Sequence, residues 1–499
     1  MDTEIELKFF VSEQHVVEKI TAFLQSLALP IIHNEKQLNN SYFDTETMQL
    51  RADDFGLRIR TSAGFKEQTI KTAGSCVGGL HQRPEYNVEI DDNVPNLSLF
   101  PRDIWHTWQD ISQLQQQLKP IFSTNFVRHT WLIDYSPSTK IELAYDVGVI
   151  KVNEQQLPIA EIELELLAGN TEHLISLAKK LCSVIKLLPG TTSKAARGYA
   201  LVAQHEILPL LSPLEVIPLN QQHSINESFT IGLQFALNQM QFALNAYVQQ
   251  PCLSYLVKVT EMLALMRHGF WLYQAYLPPP MNMLRDELSY FIKQFAWVDN
   301  AIHFQELTDK TGNYRHKLEF SHQLLKQLKF ERNQLPDEKK VIKIFRSARF
   351  NQLQLSILES LLAQELCHQT AAELSITVFA EQALEHNLQQ IQQHLSPTTA
   401  LSAEQYLQHY KLFIRSLLTG SWFGQLYEDQ ARLEFRDPWL DIKQGIAELQ
   451  TLWIIKLHLD SLADYPVKLE RWLDSKIENL LLALNHSKTS ALAIRPYWH

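Results

Sequence analysis

The sequence contains few cysteines, and those that occur are far apart. Its four thiols belong to Cys76, Cys182, Cys252 and Cys367, and no two of them form a Cys-x-x-Cys pair. A disulfide framework needs a denser set of cysteines, and a structural zinc site needs ligands at close spacing. We therefore expect reduced thiols and a cytoplasmic location.

The sequence also lacks long apolar runs and an excess of positive charge. No run of about 18 apolar residues occurs, which argues against a membrane span. The acidic start MDTEIELKFF is unlike a signal peptide. The net charge of −10 argues against general binding of nucleic acid or anionic membranes, although a local basic cluster could still bind a small polyanion. The motifs GxxxxGK[ST], GxGxxG, HExxH and GxSxG are absent.

What is present is the composition of a multidomain globular protein. Hydrophobic residues make up 45% of the chain and charged residues 20%, which is enough to bury sizeable cores. A length of 499 residues favours two or three domains.

Alternating polar and apolar residues dominate the first 205 positions. Such an alternation with a period of two predicts β-strands. The alternating segments are TEIELKFFV, FGLRIRT, FKEQTIKT, PEYNVEI, FVRHTWLIDY, KIELAYDVG and IAEIELELL. Seven or eight antiparallel strands are enough to close a barrel. We predict an eight-stranded antiparallel β-barrel with flanking helices, an α+β domain, for residues 1–205.

The pattern changes after a proline-containing segment at 206–222, which holds Pro209, Pro213 and Pro218 and which we interpret as a linker. Beyond it, stretches such as QFALNQMQFALNAYV repeat their apolar residues at the helical period of 3.6. We predict an all-α helical bundle domain for residues 223–499.

The charged residues of the strands fall on one face. In the first strand Glu4, Glu6 and Lys8 alternate with Ile5 and Leu7. Taken alone, each strand fits a barrel with a charged, solvated outer surface. Across the set, however, acidic residues dominate the first and last strands and basic residues the middle ones, whereas surfaces usually mix both signs. This separation of acidic and basic residues onto different strands favours an interior with an acidic wall opposite a basic wall. We therefore expect Glu4, Glu6 and Lys8 to point inward.

Such an interior suits a metal-bound polyphosphate. Converging carboxylates repel one another unless a cation lies among them. Mg²⁺ and Mn²⁺ prefer oxygen ligands, and Mg²⁺ often shares its coordination shell with substrate phosphates. Several Arg and Lys residues on the opposite wall would bind an anion with several negative charges.

These residues resemble the CYTH superfamily, the triphosphate tunnel metalloenzymes. EIELK fits the ExExK signature, and further matches follow in order over about 200 residues: SYFDT, GLRIR, IKT, RPEY, FVR, the DVG strand end, EIELEL and SKAARGY. The resemblance implies a tunnel in which water, with no covalent intermediate, hydrolyses triphosphate to diphosphate and phosphate.

The resemblance also implies a role for each charged position. The implied metal ligands, for Mg²⁺ or Mn²⁺, are Glu4, Glu6, Asp146, Glu161, Glu163 and Glu165. The implied phosphate-binding residues are Lys8, Arg58, Arg60, Lys71, Arg83, Arg128, Lys194 and Arg197. The implied catalytic set is Glu4, Glu6, Lys8 and Glu85.

Three of these roles stay open at the level of sequence. Glu85 could orient a basic neighbour or the attacking water, or it could form a structural salt bridge. Arg197 could support Lys194 at the mouth of the tunnel, or it could form a structural salt bridge as well. Glu165 could bind the metal directly, contact a metal-binding residue without touching the metal, or face solvent.

The second half resembles a CHAD domain, a helical module with basic residues suited to polyphosphate. Its basic positions are sparse, and solvated helix faces, polyphosphate binding, docking onto the barrel and dimer formation all remain open. The candidates fall into three groups: Lys258, Arg267 and His268; Lys339, Lys340, Lys343, Arg346 and Arg349; and His409, Lys411 and Arg415.

The predicted function is metal-dependent hydrolysis of inorganic triphosphate by a phosphoanhydride hydrolase. A class IV adenylate cyclase or a thiamine triphosphatase would need the same phosphate-binding residues. A polyphosphate-binding module is the alternative from a different class. We expect no nucleic-acid or membrane partner, and the sequence does not fix the oligomeric state.

Overall fold

The computed structural model describes residues 2–62, 64–105, 110–204, 215–318, 321–363, 374–459, 462 and 466–499. Cys367 and part of the predicted linker lie outside these residues. Packing divides the chain into two units. The first comprises Met1–Pro209, Gln241–Gln250 and Ile342–Glu359, and the second comprises Leu210–Met240, Pro251–Val341 and Ser360–His499. The predicted domain boundaries at 205 and 223 stay a prediction.

Ten strands form one sheet in the first unit. The strands are β1 (Asp2–Val11), β2 (Ile31–Asp44), β3 (Gly56–Ser62), β4 (Phe65–Lys71), β5 (Ser75–Val77), β6 (Leu80–Glu89), β7 (Lys119–Ser136), β8 (Thr139–Val152), β9 (Gln155–Ala168) and β10 (Leu187–Pro189).

Eight of these strands close into a barrel. Strand β1 pairs with β9 on one side and with β6 on the other, so that the order around the barrel is β1-β9-β8-β7-β2-β3-β4-β6. The pairings around this ring are antiparallel. Short strands β5 and β10 extend the sheet beside β6 and β1. The predicted eight-stranded antiparallel barrel is confirmed.

The described segments between and directly after these strands form helices α1 (Val16–Ser26), α2 (Gln49–Ala52), α3 (Ile111–Gln117), α4 (Thr171–Leu181) and α5 (Lys194–Ala203). The outward face of β1, with Leu7 and Phe9, shares a buried apolar cluster with Ile20 of α1 and Leu177 of α4. Because side chains alternate along a strand, packing Leu7 and Phe9 against helices turns Glu6 and Lys8 to the interior.

An apolar cluster fills one part of the barrel interior. Leu38, Phe126 and Ile150 pack together with Phe122 and with Tyr199 of α5. The rings of Tyr42 and Phe122 stack with centroids 4.4 Å apart, and Tyr199 meets Phe122 edge-on at 5.3 Å. Helix α5, which follows its N-cap Ser193, therefore packs against an apolar layer and brings its first residues next to the charged part of the interior.

The remaining helices are α6 (Ile225–Gln249), α7 (Leu253–Leu272), α8 (Met281–Gln294), α9 (Trp297–Thr308), α10 (Arg315–Leu318), α11 (His322–Gln334), α12 (Glu338–Phe345), α13 (Ala348–Leu362), α14 (Ile376–His394), α15 (Ala403–Phe423), α16 (Asp429–Leu459) and α17 (Val467–Ala493). Across the described residues from 215 onward there is no strand, so the helical character predicted for the second half is confirmed. No helix among the described residues is long and apolar enough to cross a membrane.

Candidate active site

Three buried carboxylates form the centre of the barrel interior. Asp146 lies directly opposite Glu161 in the β8–β9 pairing, and Glu163 lies two residues further along β9. One oxygen of each carboxylate lies within 4.8 Å of the others. Asp146 and Glu161 are fully buried, and Glu163 is nearly so. Three such charges require compensation in a low dielectric.

Two lysines provide much of that compensation. The ammonium of Lys8 lies 2.7 Å from Oε1 of Glu163 and 3.5 Å from Oε1 of Glu6. The ammonium of Lys194, at the start of α5, lies 2.6 Å from Oδ2 of Asp146 and also contacts Glu161 and Glu163. Burial opposes the charged form of Lys8, but Glu163, Glu6 and Glu161 outweigh it and raise the pKa of Lys8 well above its ordinary value.

Two arginines complete the shell around this centre. Arg128 donates two hydrogen bonds of 2.7 Å to Asp146 and one of 2.6 Å to Glu163. Arg197 donates to Oε2 of Glu161. Although burial opposes ionisation of Glu163, Lys194, Lys8 and Arg128 hold the pKa of that carboxyl well below its ordinary value. The charges of the central carboxylates are therefore compensated by the protein itself.

A second cluster of carboxylate side chains lies further along the same strands. Glu165 of β9 is directly opposite Glu6 of β1 and Glu142 of β8. Among the described residues, no cation lies within ion-pair distance of Glu165. Burial, followed by the charges of Glu4 and Glu142, raises the pKa of Glu165 to about 7. Several carboxylates, those of Glu4, Glu6, Glu142 and Glu165, thus act on one another at this end of the interior.

A mixed network connects this acidic group with the basic wall. Lys71 of β4 contacts Glu4 and lies 2.9 Å from Oε2 of Glu85. Arg58 of β3 lies 3.4 Å from Oε1 of Glu85. Burial opposes ionisation of Glu85, but Lys71 and Arg58 lower its pKa to about 2. Glu85 is therefore an anion between two cations, which fits its predicted role of orienting basic neighbours.

The two remaining predicted arginines differ in their partners. Arg83 donates two hydrogen bonds, of 2.9 and 2.8 Å, to the carboxylate of Asp54. Arg60 donates from Nε to Oδ1 of Asn40 at 2.9 Å, and no carboxylate of the described chain lies within ion-pair distance of it. Burial, followed by the charges of Arg58 and Arg128, lowers the pKa of Arg60 to about 9.

The structure thus brings most of the predicted site residues together. The central carboxylates contact Lys8, Arg128, Lys194 and Arg197, while Glu4 and Glu85 share Lys71. Glu142, Asn40 and Asp54 were not among the predicted site residues. Glu142 was detectable, since it precedes Asp146 by four residues on an alternating strand. Asn40 and Asp54 carried no comparable signal, because a single amide and a loop carboxylate are common in any sequence.

Several basic candidates of the helical half are engaged in local contacts. Lys258 is buried and lies 3.2 Å from Oε1 of Glu215. Nε2 of His268 lies 2.8 Å from Oγ1 of Thr419, and Arg415 lies over the ring of Trp271 at 5.0 Å. Each of these contacts satisfies a polar side chain within the helical packing.

The N-terminal segment can now be compared with known proteins. Residues 2–199 match the family model of the CYTH domain. This match covers the barrel and helices α1 to α5 up to Tyr199. The chain is 37% identical over 198 residues to an inorganic triphosphatase of Haemophilus influenzae, which covers 40% of this chain and 54% of that protein. The chain thus spans only about half the length of the curated relative it matches.

Two solved structures resemble parts of this chain. A triphosphatase-active protein from Hippeastrum is 17% identical, covers 40% of this chain and 95% of its own, and has a TM-score of 0.31. The CHAD domain from the plant Ricinus communis is 15% identical, covers 57% of this chain and 98% of its own, and has a TM-score of 0.42.

The barrel interior carries a donor set that fits a hard divalent cation. The carboxylates of Glu4, Glu6 and Glu165 supply only oxygen atoms, which is the ligand type that Mg²⁺ and Mn²⁺ prefer. Among the described residues Glu165 has no ion-pair partner, so a metal ion binding there would displace no cation. The oxygens of the three central carboxylates converge closely enough to hold a metal ion, although their charges are paired with lysines and arginines. In the same way, Glu4 is paired with Lys71 and Glu6 with Lys8.

Proposed function

We propose that this chain hydrolyses inorganic triphosphate to diphosphate and phosphate inside the CYTH barrel, with Mg²⁺ or Mn²⁺. The observation that supports this proposal is the interior itself, where carboxylates of β1, β8 and β9 face arginines and lysines of β3, β4 and β7. A linear triphosphate carries several negative charges along its length. It can therefore contact the basic wall directly and the acidic wall through a cation.

The six predicted metal ligands divide into two groups in this proposal. Glu4, Glu6 and Glu165 would hold the divalent cation. Asp146, Glu161 and Glu163 would reach it after exchanging contacts with Lys8 and Lys194, whose ammonium groups would then turn to phosphate oxygens. When bound, the cation would polarise phosphate oxygens and offset the charge of the transition state.

The basic residues would bind and align the phosphate chain. Arg58, Arg60, Lys71 and Arg128 would contact its oxygens, with Lys194 at the α5 end and Arg83 and Arg197 in more peripheral positions. Glu85 would keep Arg58 and Lys71 in place and could orient the attacking water. Because phosphoryl transfer depends mainly on alignment and charge stabilisation, these fixed donors would account for much of the rate enhancement.

The proposal extends to the domain organisation and to the helical half. The domains would be the CYTH domain at 1–205, a linker at 206–222 and a CHAD-like helical domain at 223–499, in a cytoplasmic protein. The helical domain would bind polyphosphate or serve in docking. Its sparse basic positions make the polyphosphate role secondary to hydrolysis in the barrel.

The test is phosphate release from tripolyphosphate, ATP and thiamine triphosphate in the presence of Mg²⁺, Mn²⁺ or EDTA. We expect metal-dependent release chiefly from tripolyphosphate, and its loss in Glu6→Gln. The matched control is Glu18→Gln on helix α1, where the carboxylate is exposed. Cyclic AMP and diphosphate from ATP would indicate a cyclase instead. Capture of long-chain polyphosphate without any turnover would indicate a binding module.

A further inference from the structure

Arg60 differs from the other predicted phosphate-binding residues in its partner. Lys8, Arg58, Lys71, Arg83, Arg128, Lys194 and Arg197 each contact at least one carboxylate. Arg60 donates to the neutral amide oxygen of Asn40 instead. Its guanidinium therefore has no direct ion-pair partner among the described residues, although burying such a charge is costly.

Asn40 is held at the centre of three adjacent strands. It lies opposite Arg60 of β3 in one pairing and opposite Thr124 of β7 in the other. Its Nδ2 donates to Oγ1 of Thr124 at 2.9 Å, and both residues are almost fully buried, at 2% and 1% exposure. The bond to Thr124 fixes the amide so that Oδ1 faces Arg60.

Apolar neighbours hold this amide in place from both directions along the strand. In the same β2–β7 pairing, Leu38 faces Phe126 and Tyr42 lies opposite Phe122, and all four side chains belong to one buried cluster. A side chain enclosed in this way has little freedom to change its rotamer. Packing around Asn40 thus determines the direction in which the Nε–H group of Arg60 donates its hydrogen bond.

We infer that Asn40 is a positioning residue, which aims the guanidinium of Arg60 at the phosphate chain while leaving its positive charge free to act on that chain. This inference rests on the proposed function, since it assumes that a phosphate chain occupies the tunnel. A carboxylate at this position would accept the same hydrogen bond, but it would also neutralise Arg60 and compete with the substrate. The neutral amide provides the orientation without the competition.

The first experiment exchanges the amide for an isosteric carboxylate. In Asn40→Asp, Thr124 can rotate its hydroxyl to donate, so both hydrogen bonds survive and only the charge changes. Binding of tripolyphosphate is measured calorimetrically in EDTA, together with the melting temperature of the free protein. We expect the Kd to rise tenfold or more, while the melting temperature of the free protein stays equal or increases. A purely structural role would instead lower the melting temperature and leave the Kd unchanged.

The matched control is Asn39→Asp, the same substitution one residue away on the same strand. Asn39 is exposed on the opposite face, so we expect both its Kd and its melting temperature to match those of the unmodified protein. Equal weakening by both substitutions would mean that net charge alone lowers the affinity, and it would overturn the inference.

The second experiment tests whether Asn40 acts through Arg60. The Kd is compared for Asn40→Ala, Arg60→Met and the double variant, and Asn40→Ser replaces Asn40→Ala if the alanine variant does not fold. We expect loss of the amide to weaken binding in the parent protein and to have no further effect once Arg60 is methionine. Additive losses would overturn the positioning role. Absence of tripolyphosphate turnover by the unmodified protein with Mg²⁺ or Mn²⁺ would refute the proposed function itself, whereas normal binding by Asn40→Asp would overturn only this inference.

Discussion

Glu163 illustrates how strongly a single residue is coupled to the interior. Its carboxylate contacts Lys8, Arg128 and Lys194, so Glu163→Gln would leave three buried cations with less negative charge between them. We expect a loss of about 3–5 kcal/mol in the free energy of unfolding, as for other buried ion pairs that lose one partner. Urea unfolding in EDTA measures this loss without a contribution from bound metal.

Glu165→Gln is the matched control for that substitution. It removes a carboxylate of the same strand, but one whose neighbours Glu4 and Glu142 repel it. We expect the free protein to be as stable as before or more stable, while the affinity for Mn²⁺ falls. Equal destabilisation by the two variants would mean that strand packing, and not ion pairing, decides the effect.

At this scale the sequence predicted which side chains point inward but not which partners they contact. Strict alternation along β1 was enough to place Glu6 and Lys8 on the face opposite Leu7. The distinction between Arg60, with its neutral partner, and Arg83, with its carboxylate partner, depends on Asn40 and Asp54. Neither residue was identifiable, because their contacts arise only when distant strands and loops come together.

Among the helices, α5 is positioned by a close approach to the barrel. A Cβ added at Gly198 would lie 2.2 Å from Cε2 of Phe122, whose ring is confined between Tyr42 and Tyr199. Gly198→Ala should therefore displace α5, costing about 1–3 kcal/mol, and should reduce triphosphate turnover by moving Lys194.

The measurements for Gly198→Ala are urea unfolding and phosphate release. Gly56→Ala on β3 is the control, since a Cβ there meets nothing within 4 Å and should change stability by less than about 1 kcal/mol. Unchanged stability and turnover in Gly198→Ala would show that α5 tolerates the shift.

The pairing of α7 with α15 should make the stability of the second unit depend on pH. Burial, followed by the charges of Arg415 and Arg267, lowers the pKa of His268 to about 3, from an ordinary value near 6.5. The unfolded chain binds this proton more readily, so the stabilising contribution is present above pH 6.5 and is lost as the pH falls toward 3. Between pH 7 and pH 5 the expected loss is about 2 kcal/mol.

Urea unfolding at several pH values tests this expectation with His268→Gln, which retains an amide for Thr419 but takes up no proton. The pH dependence of the variant should be smaller by about that amount. His322→Gln serves as the control, because His322 is exposed and should leave the slope unchanged. A slope that His268→Gln does not alter would exclude this histidine as its source.

At the scale of the whole molecule, sequence periodicity separated a strand-rich half from a helical half but could not assign helices to cores. Residues 241–250 and 342–359 have the same amphipathic pattern as their neighbours, yet they belong to the unit that contains the barrel. An apolar helix face indicates that the helix is buried, and it carries no information about which partner buries it. The unit that contains the barrel therefore includes segments from both halves of the sequence.

Leu358 of α13 provides a test of that assignment. It is fully buried in the cluster that also contains Leu177 and Leu181 of α4, so Leu358→Ala should cost about 2–5 kcal/mol although it lies far from the barrel in sequence. The control is Leu362→Ala, the same substitution one turn later in α13, where the side chain is 36% exposed. The readout is the urea concentration at which triphosphate turnover is lost, because the proposed reaction takes place in the barrel. A lower midpoint for Leu358→Ala alone would confirm that this helix stabilises the unit that contains the barrel, and equal midpoints for the two variants would contradict it.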